Sequence, residues 1–297
     1  MAEIRQRLWI IGRDFNPGKI QEIARLFGEP HRRNGYLAPR VERDRAYGPD
    51  PRHRLDVHTL VDPVPASRAV VLFVHGGAYS MGDKRQEGTP YFDHVGGWAT
   101  RCGMLAVTMN YRLAPHHGWP VGAEDVAAAV AWTRSHITEY GGDPERLVLV
   151  GYSAGATHVA SFLAGHAGRP ADAVASAIMM AGVYDVKTAA RTEPHRSILA
   201  SYFGDDETTY AGRSALPGLA DSAVPMLFTV GEFDRLAQEQ LTRVVVEFFD
   251  RRGILPALAW LPGHTHTSDI FSLGLEADSI LETLLRQFIT HTTRLSD

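Results

Sequence analysis

"LVLVGYSAGATHVASFLAG" (Leu147 to Gly165) sets an apolar run against one serine framed by two glycines, with small residues after it. Leu147 to Val150 has strand length and no polar face, as a strand covered on both sides requires. Ala156, Ala160 and Ala164 then recur at helical spacing. The prediction is strand, tight turn, helix, with Ser153 standing at the turn and Gly151 and Gly155 removing side chains that would clash there. Gly-x-Ser-x-Gly is short enough to arise by chance, so the rest of the chain must give it meaning.

Outward from this stretch the same rhythm repeats. "LDVHTLV", "AVVLFVH", "MLAVTMN", "AVASAIMMAG", "PMLFTVG" and "LPALAWLPG" are further strand-like runs from about Leu55 on. Helical patterns lie between them. "AEDVAAAVAWTRSHI" is alanine-rich with an acidic first turn. Leu241, Val244, Val245 and Phe248 follow the i, i+3, i+4, i+7 pattern, and Leu281, Leu284, Leu285 and Phe288 repeat it. Alternating strands and helices predict one α/β domain over residues 1–297, a mostly parallel sheet with helices on both faces. Residues 1–46 are polar and read as an N-terminal extension packed on that domain, with a short amphipathic helix at Gly18 to Gly28. Residues 184–222 break the rhythm with two short helices and no strand. They read as an insertion forming a small lid over a site, together with the N-terminal segment.

Composition limits the function. The 297 residues are 44% hydrophobic and 22% charged with a net charge of -4, so a large core is available and nucleic-acid or anionic-membrane binding has no electrostatic support. Cys102 is the single cysteine, which rules out an intramolecular disulfide. It reads as a small residue at a helix-to-strand junction. "MAEIRQRLWIIGRDF" is too short and too interrupted by charge for a signal peptide or membrane span, so the expected location is cytoplasmic. No metal site is expected. The histidines outside the 264–266 stretch, among them His31, His53, His58, His116 and His117, lie in polar segments and read as solvated.

A serine hydroxyl is a weak nucleophile and needs a base, itself oriented by an acid. In a strand-turn-helix setting of this kind the order along the chain is serine, acid, histidine. Asp234 lies just beyond the strand of "VPMLFTVGEFDRL", and Glu232, nearer the strand end, is the weaker candidate. "LAWLPGHTHTSDIF" offers His264 and His266. His266 is preferred because Thr267 and Ser268 behind it suit a helix cap, while His264 serves the loop. Upstream, "VVLFVHGGAYSMGDK" runs from a strand into Gly76 and Gly77, where backbone N–H groups approach a ligand closely and stabilise an oxyanion, with Ala154 as a further donor. Which of Gly76, Gly77 and Ala78 donate is open. Tyr79, Tyr152, Tyr202 and Phe203 are candidate pocket residues, with core packing as the alternative for each.

"HGGAYSMGDK", "NYRLAP", "GGDPERLVLVGYSAGA", "GEFDRL" and "GHTH", in that order, resemble the α/β-hydrolase superfamily over Tyr47 to Ile289. The nearest branch is that of carboxylesterases and arylformamidases, close to the hormone-sensitive-lipase-like esterases. The resemblance implies Ser153, Asp234 and His266 as a catalytic triad and Gly76, Gly77 and Ala154 as oxyanion donors. This chain has Ala78 where those esterases carry a third glycine and Tyr152 where they carry an acidic residue. It also has Tyr79 where arylformamidases commonly have tryptophan and Thr267 where they have phenylalanine, which leaves the subfamily open. Three functions follow: a serine carboxylesterase acting on a small ester, an arylformamidase-type amide hydrolase, or a noncatalytic receptor on the same frame. The expected partner is a small-molecule ester or amide, with no cofactor; a homo-oligomer is left open.

Overall fold

The computed structural model of the protein describes residues 2–14, 16–61, 67–168, 173–275 and 279–293. Among them, eight strands form one sheet: β1 (Arg40–Ala46), β2 (Arg54–Thr59), β3 (Arg68–Val74), β4 (Leu105–Met109), β5 (Gly142–Tyr152), β6 (Ser176–Met180), β7 (Met226–Gly231) and β8 (Ala257–Leu261). Their order is β1-β2-β4-β3-β5-β6-β7-β8, with β2 antiparallel to both its neighbours and the strands from β4 to β8 mutually parallel. The helices are α1 (Ala2–Ile11), α2 (Pro17–Asn34), α3 (Asp93–Arg101), α4 (Val121–His136), α5 (Ala154–Leu163) and α6 (Val186–Ala189). They continue with α7 (His195–Phe203), α8 (Tyr210–Arg213), α9 (Leu216–Asp221), α10 (Arg235–Arg252), α11 (Ser268–Ser272) and α12 (Ser279–Thr292). No helix among the described residues is long and apolar enough to cross a membrane.

The period of two along each strand divides the core between the sheet's faces. Leu72, Val74 and Leu149 join Val126, Val130, Val244 and Phe248 of α4 and α10 on one face. Val71, Phe73, Val148 and Val150 join Phe27, Trp98 and Leu285 of α2, α3 and α12 on the other. That is why "AVVLF" and "LVLV" carry no polar position. Register then aligns the strand ends. Val74 pairs with both Met109 and Gly151, Tyr152 with Met180, and Gly231 with Leu261, so the loops leaving β3, β5, β7 and β8 emerge along one edge.

Three features differ from the expectation. The last residues of the 1–46 segment are not merely packed on the sheet: Arg40–Ala46 is its edge strand β1, hidden by charge. Arg43 on that strand bonds Asp56 at 2.7 Å and Asp93 at 2.6 Å, so its charge points into a buried ion network instead of solvent. Residues 2–11 form a helix whose Ile4, Leu8 and Ile11 face the core. The 184–222 stretch holds four short α-helices rather than two. Cys102 is half-buried where α3 ends, at the junction expected for it, and burial pushes its thiol up to about 11.

The histidines contradict the solvated reading most clearly. His116 is exposed, but His31, His53, His58, His75, His94 and His158 are buried. His31 and His94 bond the carbonyls of Phe271 and Ile270 at 2.8 Å, which ties α2 and α3 to α11. Burial lowers His31, His58 and His75 to about 4 and His94 and His158 to about 3. These five groups are neutral when folded and take up protons near pH 6.5 when unfolded. Their stabilisation is complete above pH 6.5 and is lost as pH falls toward 4, by about 1.4 kcal/mol per pH unit for each. They outnumber His266 and Asp269, which hold protons more tightly when folded. The urea midpoint is therefore expected to be lower at about pH 5.5 than at about pH 7.5, and an unchanged midpoint would contradict the burial of these rings.

Candidate active site

Ser153 sits between β5 and α5 with φ 53° and ψ -119°, a conformation costing roughly 1–3 kcal/mol in a non-glycine residue. The turn is held by its surroundings. The Ser153 N–H donates to the Met180 carbonyl at 2.8 Å, and α5 presses onto the end of β3 so closely that a Cβ on Gly155 would lie 2.1 Å from the Val74 oxygen. A Cβ on Gly151 would lie 2.6 Å from the Ala156 Cα. Both glycines are needed for close approach, as the motif implied.

The loops after β7 and β8 bring two more side chains to this turn. Asp234 caps α10, with Oδ1 accepting the Ala237 N–H at 3.0 Å and Oδ2 lying 2.5 Å from His266 Nδ1. A carboxylate only accepts, so Nδ1 carries the proton and Nε2, 2.9 Å from Ser153 Oγ, accepts from the hydroxyl. Burial opposes charge on His266, but the Asp234 carboxylate outweighs it, with Asp269 adding to the effect, and the imidazole is held above its ordinary value of 6.5. Glu232, the weaker candidate, is occupied elsewhere: its Oε2 accepts the Gly263 N–H at 2.8 Å. His264 serves the loop, with Nδ1 3.1 Å from Ser268 Oγ. Thr267 does not cap α11; Thr265 and Ser268 instead bond each other reciprocally, through Thr265 N–H to Ser268 Oγ at 2.8 Å and Ser268 N–H to Thr265 Oγ1 at 3.3 Å.

The loop after β3 faces the same point. Gly77 has φ +143°, and a Cβ there would lie 2.0 Å from the Met81 oxygen, so no other residue fits. Its carbonyl accepts from Ser80 and Met81, which closes the turn, while the N–H groups of Gly77 and Ala78 take no acceptor among the described residues. The Ala154 N–H opens α5 and is one of the donors a helix leaves unpaired. Three supports went unread in the sequence. The Lys84 ammonium is buried between Asp44 at 2.6 Å and Asp56 at 2.9 Å. Asn110 accepts the Lys84 N–H at 2.6 Å and donates to Asp83 at 2.8 Å. Arg52 donates to the Gly82 carbonyl at 2.9 Å. "GDK" was the visible signal, but its partners on β1, β2 and after β4 are distant in sequence.

Ser153 and His266 open into a cavity of about 680 Å³ whose walls include Phe92, Ile198, Leu199, Phe233 and Phe271. Gly76, Gly77, Ala154, Tyr79 and Tyr152 line it. Tyr202 and Phe203 do not. They stand behind Tyr79, with the Tyr202 ring stacked on it at 4.8 Å and Phe203 edge-on at 5.7 Å, so they set its position from the core side. The α1–α2 corner adds Gly12 to Asp14, Ile20 and Ile23, and α7 adds His195.

Similarity to known proteins agrees with this architecture. A family model described as alpha/beta hydrolase fold matches residues 71–250. Esterase LipQ of Mycobacterium tuberculosis is 30% identical over 259 residues, covering 81% of this chain and 59% of that protein. The probable carboxylic ester hydrolase LipM of the same organism is 31% identical over 233 residues, covering 68% of this chain and 53% of that protein. The chain thus spans less than two thirds of the length of these relatives. Among solved structures, a thermostable esterase from Pseudomonas putida superposes with a TM-score of 0.71 at 18% identity, covering 100% of this chain and 98% of the other. The carboxylesterase EstE1, cloned from a metagenomic library, gives 0.68 at 20% identity, covering 93% and 98%. These two likenesses concern the fold; together with the family match over the segment that carries Ser153 and Asp234, they establish that the chain belongs to the alpha/beta hydrolase fold family.

Proposed function

We propose that the protein is a serine hydrolase that cleaves a small-molecule carboxylic ester through an acyl-enzyme. The observation that carries this reading is the unbroken line from Ser153 Oγ to His266 at 2.9 Å and from His266 to Asp234 at 2.5 Å, opening into an apolar cavity. Ser153 Oγ attacks the ester carbonyl carbon as its proton passes to His266 Nε2. Asp234 holds the resulting imidazolium in place. The carbonyl oxygen takes the negative charge and is met by N–H groups from Gly76, Gly77 or Ala78 and from Ala154, each worth a few kcal/mol in such a site. Collapse expels the alcohol, protonated by His266. Water then repeats the sequence on the acyl-enzyme and restores Ser153.

The names of LipQ and LipM support an ester rather than an aryl formamide as substrate. The complete line of three side chains speaks against a noncatalytic receptor. Residues 184–222 act, in this reading, as the lid of one hydrolase domain, since Ile198 and Leu199 of α7 form part of the cavity wall. A cytoplasmic setting, for which the lone half-buried Cys102 speaks, belongs to the same proposal.

Ser153→Ala is expected to lower kcat for short-chain aryl esters by at least about 10⁴-fold without loss of fold; wild-type turnover would end the proposal. N-formyl arylamines assayed beside those esters are expected to be the poorer substrates in kcat/KM. Because only neutral His266 accepts the serine proton and its proton affinity is raised, kcat/KM is expected to fall on the acid side with a midpoint above 6.5. Gly155→Val is expected to slow phosphonate labelling of Ser153 and to destabilise the fold by about 1–3 kcal/mol in urea unfolding, because its side chain meets the β3 backbone.

A further inference from the structure

Asp269 opens the first turn of α11, three residues beyond His266, and is fully buried. Its Oδ1 accepts the neighbouring Ile270 N–H at 2.7 Å, while Oδ2 has no hydrogen-bond partner among the described residues. No lysine or arginine among the described residues forms an ion pair with it; the positive charges that act on it most belong to His266 and His264. A buried carboxyl without a cation is expensive to keep, so its persistence calls for a charge it meets only part of the time. His266 is such a group, because it becomes an imidazolium only when Ser153 loses its proton.

We propose that Asp269 is a second acidic positioning residue that acts through His266 and stabilises the imidazolium formed as Ser153 attacks. This rests on the hydrolase reading above. The surrounding groups leave the role to it. Asp234, from the loop after β7, already binds Nδ1. Tyr152 at the end of β5 is kept neutral by burial. His31 and His94, from α2 and α3, bond the carbonyls of Phe271 and Ile270 and are held neutral at about 4 and about 3. His195 of α7 is lowered by burial and by His266. Burial pushes the Asp269 carboxyl up to about 7, with His266 and His264 pulling it down, so the group changes form in the range where His266 works. The two titrate as a pair. Charge on the imidazole favours the carboxylate, and the carboxylate favours the imidazolium.

Asp269→Asn keeps an oxygen for the Ile270 N–H and removes only the charge. The rates to compare are phosphonylation of Ser153 by a p-nitrophenyl phosphonate and kcat/KM for p-nitrophenyl butyrate, from about pH 5 to about pH 9. Loss of the carboxylate weakens the imidazolium, so the acid limb is expected to move to lower pH by on the order of one unit, with the plateau reduced several-fold. A plateau that falls while the limb stays in place would mean a structural role only and would overturn the proposal, as would two superimposable profiles. Should the variant not fold, wild type supplies the test: at about pH 6, phosphonylation fixes His266 as the imidazolium and is expected to remove a protonated-carboxyl band from the infrared difference spectrum. Persistence of that band would overturn the proposal. A wild-type Ser153 that fails to react with the phosphonate would instead remove the hydrolase reading itself, and this inference with it.

Discussion

The approach of α5 to the end of β3, with Gly155 against the Val74 carbonyl, is the contact on which the rest of the site depends. It forces the chain to turn within two residues of leaving β5, and it holds Ser153 at a positive φ that the residue would not adopt alone. The strain is carried by the most buried part of the sheet, where Val74, Leu149 and Val150 have no solvent exposure. The same contact sets the distance between the serine and the loop after β3. The Ala154 N–H and the Gly77–Ala78 turn can face one point only because helix and strand end meet without a side chain between them.

Electrostatics complete what backbone geometry begins. His266 is largely withdrawn from solvent, which by itself discourages charge, and two carboxyl groups reverse that tendency. Asp234 is fixed by the α10 N-terminus and by its bond to Nδ1, so its contribution is steady. Asp269, buried at the start of α11, is the second carboxyl that favours charge on the ring. The loop after β3 is pinned by a different network, Lys84 with Asp44 and Asp56 and Arg43 with Asp56 and Asp93, in which cations and carboxylates are closely paired. Charge is thus closely paired beneath the loop after β3, whereas Asp269 makes no ion pair with a lysine or arginine among the described residues.

Local chemistry decided which parts were legible in the sequence. Ser153, Asp234, His266 and the Gly76–Gly77 turn each follow a strand, and each strand announces itself in a short apolar run. Parallel register then carries those strand ends to a common edge, so order along the chain was enough to assemble the site. Strand β1 was missed because its arginines are satisfied by Asp56 and Asp93, partners that no local window contains. The buried histidines were misread for the same reason. His31 looks solvated in "GEPHRRN" and is buried only because α2 docks on α11, whose Phe271 carbonyl it meets. Tyr202 and Phe203, expected to line the pocket, stand behind Tyr79 instead, and only ring stacking in three dimensions separates the residue that faces the cavity from those behind it.

Floor and roof of the cavity are built on different principles. The floor is backbone: strand ends, glycine contacts and peptide bonds such as Ser153 N–H to Met180 and Phe233 N–H to His264, which tolerate little change. The roof comes from the α1–α2 corner and α7, and its contacts are largely side-chain packing, with Leu199, Tyr202 and Phe203 in a small cluster apart from the two main cores. Its polar ties include Trp119 N–H to the Tyr202 carbonyl, Gly122 N–H to the Tyr202 hydroxyl and His31 to the Phe271 carbonyl. The line from Ser153 to Asp234 is made of floor residues alone. The candidate chemistry therefore sits at the strand ends, whereas the far wall of the cavity is made by Ile20, Ile23, Ile198 and Leu199, residues whose sequence context gives no hint that they meet.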